Sequence, residues 1–358
     1  RFINIFFMNT IYLKNFIIIL ISFFISILLL EIFSRNFIQK VPSNFFYYDP
    51  KALVWDTDSK TVAFKKPSKS IMTNGHFNED IFINKDGFRV NYSEELIVNP
   101  QIITIGDSQT FGHGIPNDAS WPNLLTETTG LSLGNLGVWG YRMQNYDYII
   151  EDIIKNFKPS YLIYGMTDND LCSFETPFTF ETEYKRFIDM QDYNHFQAIL
   201  KSPLEYFKNF TSLGVMMRSL YENIFYRTSS GISLRSEFFK KTSRNLYNKC
   251  TEPTINWLNA KAILLKKYNI KMIVINIPHP RRIIALANGH HQENYQESII
   301  LIKQSQKNNS LFYLIDPITE LATHYKNNDY KRGSIILPVD THYNKFSNNI
   351  LSNLIKKK

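Results

Sequence analysis

From residue 101 onward, short apolar runs alternate with stretches in which apolar residues recur every three or four positions. Residues 101–105 (QIITI), 133–136, 161–164, 271–277 (KMIVINI) and 311–315 are too short for helices and are bounded by Gly, Pro, Asn or Asp. That is the mark of strands buried on both faces. Between them, residues 120–129 carry Trp121, Leu124 and Leu125 at helical spacing, and residues 143–157 put Tyr146, Ile149, Ile150, Ile153 and Ile154 on one face before Pro159. Residues 254–268 (Trp257, Leu258, Ala262, Leu265) and 345–355 repeat the helical pattern. Strands alternating with helices predict βαβ units, and hence an α/β fold: a three-layer α/β/α sandwich around a central parallel sheet.

The N-terminal pattern is of a different kind. Asn15 to Leu30 reads NFIIILISFFISILLL without a charge, and extension to Phe33 approaches the ~20 residues a spanning helix needs. A cleavable leader has a shorter apolar region followed by a small-x-small site, whereas Glu31-Ile32-Phe33-Ser34-Arg35 follows here. Residues 1–35 are therefore expected to form an uncleaved single-pass membrane anchor. The flanking Lys14, Arg35 and Lys40 do not set its direction. Residues 36–100, rich in Pro, Asn and Lys, read as an irregular linker and N-terminal extension. Within them Asp86-Gly87, in INKDGFR, signals a hairpin turn. Residues 171–253 are too long for an ordinary connection between the third and fourth strands. They are dense in aromatics, among them Phe174, Phe178, Phe180, Tyr184, Phe187, Tyr193 and Phe196. They are expected to be a helical insert, packed on the sheet or capping the substrate mouth, in a main domain spanning 101–358.

Composition narrows the classes. A chain of 358 residues that is 44% hydrophobic and 15% aromatic can bury a sizeable core. Its two cysteines, Cys172 and Cys250, exclude a disulfide-dense framework and a cysteine-rich metal site. The net charge of +8 suits an anionic membrane surface or an acidic glycan. The basic residues are scattered and no zinc-finger or RNA-binding signature accompanies them, so nucleic acid is not an expected partner.

In a parallel α/β sheet, ligands bind beyond the carboxyl ends of the strands. Three such ends carry polar groups: Gly106-Asp107-Ser108, Asn135-Leu136-Gly137-Val138-Trp139-Gly140, and Thr167-Asp168-Asn169-Asp170. Far downstream, before the last helix, stands Asp340-Thr341-His342. Each piece alone is weak, because Gly-Asp-Ser usually makes a turn and Asn-Asp usually caps a helix. In this order they supply every part that acyl transfer needs.

This order of blocks resembles the SGNH/GDSL hydrolases over residues 80–355, and GDSQTFGHGI, NLGVWGY and NKDGFR are similar to their membrane-anchored bacterial branch. The resemblance implies a flavodoxin-like SGNH fold. It implies Ser108 as nucleophile, His342 as general base and Asp340 as the carboxylate that fixes the imidazole tautomer. It further implies an oxyanion hole from the Ser108 N–H, the Gly140 N–H and the Asn169 side chain, with Gly137 as rival to Gly140. Asp107 and Asp170 would support the loops, and no cofactor or metal is implied. Two departures stand out. The commoner spacing is Asp-x-x-His, whereas Asp340-x-His342 is shorter; polysaccharide O-acetylation proteins of the superfamily share it. The third block reads Thr-Asp-Asn-Asp in place of Gly-x-Asn-Asp. Among other histidines, His113 and His279 are read as loop residues near the rim, and His290-His291 as too small a set for a metal. A competing reading takes Asp107, Asp168, Asp170 and His342 as a metal-dependent phosphoesterase site.

The expected activity is serine-dependent ester hydrolysis through an acyl-enzyme, on acyl esters of an envelope polysaccharide or glycolipid, with the catalytic domain periplasmic or extracellular. The alternatives are an O-acyltransferase with the same triad, a lipase or lysophospholipase with the insert as lid, and a silent glycan-binding module.

Overall fold

A computed structural model describes residues 2–35, 48–57, 61–73, 77–92, 94–168, 170, 184–185, 187–188, 200, 202–217, 220, 251–289, 293–309, 311–337 and 340–358. Ten strands are placed: β1 (Leu53–Asp56), β2 (Thr61–Phe64), β3 (Ser68–Thr73), β4 (Asn78–Ile83), β5 (Arg89–Val90), β6 (Ile102–Gly106), β7 (Leu133–Asn135), β8 (Tyr161–Thr167), β9 (Lys271–Ile277) and β10 (Phe312–Ile315). β1 and β2 form a separate antiparallel pair, and the other eight make one sheet in the order β10-β9-β8-β6-β7-β5-β4-β3.

Its five strands from β6 onward are mutually parallel. Counted from β6 their order is 2-1-3-4-5, the flavodoxin-like arrangement, so the topological switch point lies between β6 and β8. Helices cover both faces because successive strand residues point to opposite sides. On one face Ile103, Ile105, Leu162, Tyr164, Met272 and Val274 pack against Tyr146 and Ile150 of the helix Met143–Asn156 and Leu258 and Leu265 of the helical residues 251–266. On the other, Ile102, Ile163, Ile273 and Ile275 meet Trp121 of Trp121–Thr129, Ile283 of Pro280–Ala287, Leu321 of Ile318–Asn327 and Leu351 of Lys345–Lys356.

The expectation of an irregular stretch over 36–100 is corrected. β3, β4 and β5 extend the sheet antiparallel from the β7 edge, with Arg89 opposite Asn135. Sequence pattern concealed them because they are short and half-solvated: Asn78, Glu79 and Asp80 open β4 and only Ile81 and Ile83 are buried. Asp86-Gly87 does turn a hairpin, registering Ile83 with Arg89, and Asn84 closes it by accepting the Asp86 and Phe88 N–H groups at 3.0 Å. A third apolar cluster under this edge joins Tyr48, Phe64, Met72, Phe77 and Ile81 to Phe111 and Ile115.

The N-terminal helix runs Phe2–Ser34, and its segment Lys14–Ser34, with mean hydropathy 2.9 and no buried share, is long and apolar enough to cross a membrane. A leader sequence has the same properties. The Glu31 carboxylate accepts the Ser212 and Leu213 N–H groups at 2.9 and 2.8 Å, joining this helix to the start of the helical residues 212–217. Of the expected insert, a helix at Pro203–Phe210 and residues 211–217 are among the parts described. Phe174, Phe178, Phe180, Tyr193, Phe196, Cys172 and Cys250 lie outside the described residues.

Candidate active site

The strand β6 stops at Gly106, whose φ of +154° places any added Cβ 2.1 Å from Thr110 Oγ1 and 2.8 Å from the Gly165 carbonyl. Only glycine fits that turn. Asp107 then caps the short helix Ser108–Phe111 by accepting the Gln109 N–H at 2.9 Å, and Gly112 (φ +88°) ends it. Ser108 is thereby the first residue of a tight strand-to-helix turn beside the switch point.

The histidine arrives from the other end of the chain. Ile336 bridges Tyr343, the Leu337 N–H donates to the His342 carbonyl at 3.0 Å, and Asn344 caps the last helix by accepting the Ser347 N–H at 3.0 Å. Across 234 positions of sequence, His342 Nε2 lies 2.7 Å from Ser108 Oγ. Asp340 Oδ1 accepts the His342 backbone N–H at 2.9 Å and also hydrogen-bonds the same residue's Nδ1. The shortened Asp-x-His spacing is thus an Asx-type turn, in which a carboxylate reaches the backbone two residues on and the ring attached to it. Arg332 steadies the turn by donating to the Asp340 carbonyl at 2.9 Å.

Electrostatics match this arrangement. Burial pushes the His342 imidazole down, but the Asp340 carboxylate outweighs it and holds the ring above its ordinary value. Burial works to raise Asp340, yet the facing imidazoles keep its carboxyl well below the usual range. Asp340 is therefore ionised at neutral pH and could offset a positive charge on the His342 ring.

Of the groups expected to form an oxyanion hole, the Ser108 N–H sits at the turn itself. Gly137 is otherwise occupied: its N–H donates to Asn135 Oδ1 at 2.9 Å, and an added Cβ would lie 2.4 Å from Phe111 N. Its role is close packing against the nucleophile helix. Gly140, at φ +78°, makes no backbone donor bond among the described residues and has open space around it. Asn169 lies outside the described residues.

Asp107 and Asp170 meet over one threonine. Thr167 Oγ1 lies 2.9 Å from Asp107 Oδ2 and 3.2 Å from Asp170 Oδ2, and the Thr167 N–H donates to Asp170 at 2.9 Å. Burial, followed by the charge of Asp107, pushes Asp170 up to about 8, so folding favours its protonated form. Asp168 pairs with Arg282 and accepts the His279 N–H at 3.2 Å. His279 caps the helix Pro280–Ala287 by accepting the Arg281 N–H at 3.2 Å, a structural task at the rim. His290 and His291 lie outside the described residues.

The carboxylates named in the phosphoesterase reading are thus spent on a threonine and an arginine. Among the described residues, His113, Asp340 and His342 bring metal-ligating atoms within 4.8 Å of one another. In this structure those atoms pair within the site: Asp340 Oδ1 hydrogen-bonds His342 Nδ1, and His342 Nε2 faces Ser108 Oγ.

Three further residues of the site had no catalytic role assigned from sequence. Gln109 straddles the histidine, with Nε2 3.3 Å from the Thr341 carbonyl and Oε1 accepting the Tyr343 N–H at 3.1 Å. Arg89, delivered by the INKDGFR hairpin, is fully buried and donates to the carbonyls of Phe111, Gly112 and Ile115 at 2.5, 2.7 and 2.7 Å. Burial pulls its guanidinium down to about 10, still charged at neutral pH. His113, expected as a loop residue near the rim, is buried, and its Nδ1 is 2.6 Å from the Tyr48 hydroxyl. The motif GDSQTFGHGI contains Gln109 and His113, but nothing in a single sequence says which way either faces.

No protein-family model matches the chain, and no curated protein does. Among solved structures, the chain is similar to the acetyl xylan esterase AlAXEase (15% identity, 72% of this chain and 98% of that one, TM-score 0.42). It is similar to TesA (10%, 72% and 96%, TM-score 0.40) and to a GDSL-like lipase from Bacteroides thetaiotaomicron (13%, 74% and 90%, TM-score 0.36). Overlap at this level says nothing about activity.

Proposed function

We propose that this chain is a serine ester hydrolase of the SGNH/GDSL type that works through an acyl-enzyme. The observation that carries the reading is the 2.7 Å contact between Ser108 Oγ and His342 Nε2, backed by Asp340 on Nδ1. Ser108 Oγ attacks the ester carbonyl while His342 Nε2 takes its proton. The oxyanion so formed is met by the Ser108 and Gly140 N–H groups and the Asn169 side chain, each donor worth about 10²–10³ in rate. Collapse breaks the ester C–O bond, and the departing alkoxide takes the proton from His342. Water, deprotonated by the same imidazole, then attacks the acyl-serine and releases the acid and Ser108.

The substrate class we assign is an acyl ester, foremost an acetyl ester, on an envelope polysaccharide or glycolipid. The apolar N-terminal helix and the net charge of +8 support a membrane-held enzyme facing an acidic glycan outside the cytoplasm. A fluorophosphonate probe tests the chemistry: wild-type protein is expected to be labelled and Ser108→Ala is not. A folded wild type that resists the probe and hydrolyses no p-nitrophenyl acetate would overturn the reading.

A further inference from the structure

We propose that His113 is a second imidazole on the triad carboxylate: held by Tyr48, it presents its Nε2–H to Asp340 Oδ2 and so positions the carboxylate whose other oxygen holds His342. The inference rests on the serine-hydrolase reading above. Asp340 uses its two oxygens on two different rings, with Oδ1 on His342 and Oδ2 3.6 Å from His113 Nε2. The rings themselves lie 4.1 Å apart between centroids, tilted by 37°. The carboxylate stands on the Nε2 side of His113, so the ring proton belongs there and Nδ1 accepts from the Tyr48 hydroxyl at 2.6 Å. Tyr48 comes from the segment ahead of β1 and is buried against Phe64 and Phe111, so the hydroxyl is not free to wander.

At 3.6 Å the contact is longer than a hydrogen bond, and what His113 supplies is the positive end of an N–H dipole in a dry site. Such contacts commonly tighten when the reacting complex forms. The device works only while His113 is uncharged, since an imidazolium would repel the one forming on His342. The groups facing it are Asp340 and His342 from the C-terminal loop, Arg89 from β5, the Tyr48 hydroxyl and the Phe77 ring edge. Burial, with His342 and Arg89 on the same side, overcomes Asp340 and holds His113 down to about 4. It is neutral throughout the range in which His342 must change charge.

The consequence is a set point. A neutral N–H on Oδ2 draws charge from the carboxylate, limits how far Asp340 raises His342, and stops the carboxylate from turning its face. Full-length protein, first shown to be fluorophosphonate-reactive at Ser108, is assayed for kcat/KM against pH with p-nitrophenyl acetate. His113→Phe is expected to move the acid limb upward by about 0.5–1 pH unit and to lower kcat about tenfold. His113→Gln, which puts an amide N–H where Nε2 stood, is expected to return the acid limb to its wild-type position. Tyr48→Phe keeps the ring but frees the tautomer. It is expected to shift the limb in the same direction by less, and it serves as the readout if His113→Phe fails to melt cooperatively. An acid limb unmoved in the folded variants, with Ser108 labelling intact, overturns the positioning role alone, as does a His113→Gln limb displaced as far as that of His113→Phe. A wild type that neither labels nor hydrolyses removes the serine-hydrolase reading and this inference with it.

Discussion

Gln109 clasps His342 from both sides: its amide nitrogen lies 3.3 Å from the carbonyl before the histidine, and its amide oxygen accepts the N–H after it at 3.1 Å. The residue next to the proposed nucleophile, Ser108, therefore also sets the position of the proposed base. Gln109→Ala is expected to lower kcat by about 10–100-fold with KM changed less than about twofold, because misplacement of a base by a fraction of an ångström is felt in the rate. Gln109→Glu keeps one acceptor but sets a carboxylate against the Thr341 carbonyl, and should be slower still. Steady-state kinetics on p-nitrophenyl acetate checks both, and a raised KM at unchanged kcat would assign Gln109 to substrate binding instead.

Activity should depend on His342 in its neutral form. Since Asp340 overcomes burial and lifts the imidazole, kcat/KM should rise through a midpoint above the ~6.5 of free histidine. Asp340→Asn removes the lift, moves the midpoint down and costs about 10⁴-fold in kcat. The linkage to stability has the opposite sense. A raised His342 contributes stability that is complete below about 6.5 and is lost as pH climbs through its folded value. Urea unfolding of inactive Ser108→Ala across pH 5–9 measures that term without turnover.

Asp170 is held up to about 8, above its value in an unfolded chain. Folding therefore favours its protonated form, and stability contributed by the site falls as pH rises from about 4 to about 8. Asp170→Asn keeps an oxygen for the Thr167 N–H and cannot ionise. It should flatten that slope and raise Tm at pH 9 relative to wild type, as read by calorimetry. An unchanged slope would mean that Asp170 is already ionised when folded.

Arg89 satisfies three carbonyls of the loop that follows the nucleophile and lies over the Phe111 ring, 4.6 Å from its centroid. Arg89→Met should cost about 3–5 kcal/mol in urea unfolding, through carbonyls left dry and unpaired. Arg89→Lys should recover little of it, because an ammonium lacks the planar fork that spans three acceptors. A loss under about 1 kcal/mol would show that water replaces the guanidinium.

The parallel half of the fold was legible because its strands are continuous apolar runs separated by helical periodicity; β9 coincides with the expected 271–277. Ser108 and His342 were paired through the likeness of the Gly-Asp-Ser and Asp-Thr-His blocks to the SGNH/GDSL hydrolases, since nothing in a single sequence brings two side chains 234 positions apart together. The antiparallel edge was hidden: β5 is two residues long and β4 begins with three polar ones, so neither carries a period to detect. Arg89 and His113 escaped for another reason. A charged or titratable side chain is read by default as solvated, and only a fold that closes over it reveals a buried task. Gly140 was preferred to Gly137 because it ends the Asn-x-Gly-x-x-Gly run, and the Asn135 side chain that takes the Gly137 amide was not legible beforehand.

Because Tyr48, the β1–β2 pair and Arg89 all precede β6, the folded unit that holds the site begins well upstream of the first parallel strand. A soluble version trimmed at residue 100 would strip away the guanidinium behind the nucleophile turn and leave β7 as a bare, adhesive border. Trimming after the apolar helix, ahead of Tyr48, keeps the border covered and is the place to cut for crystals or assays.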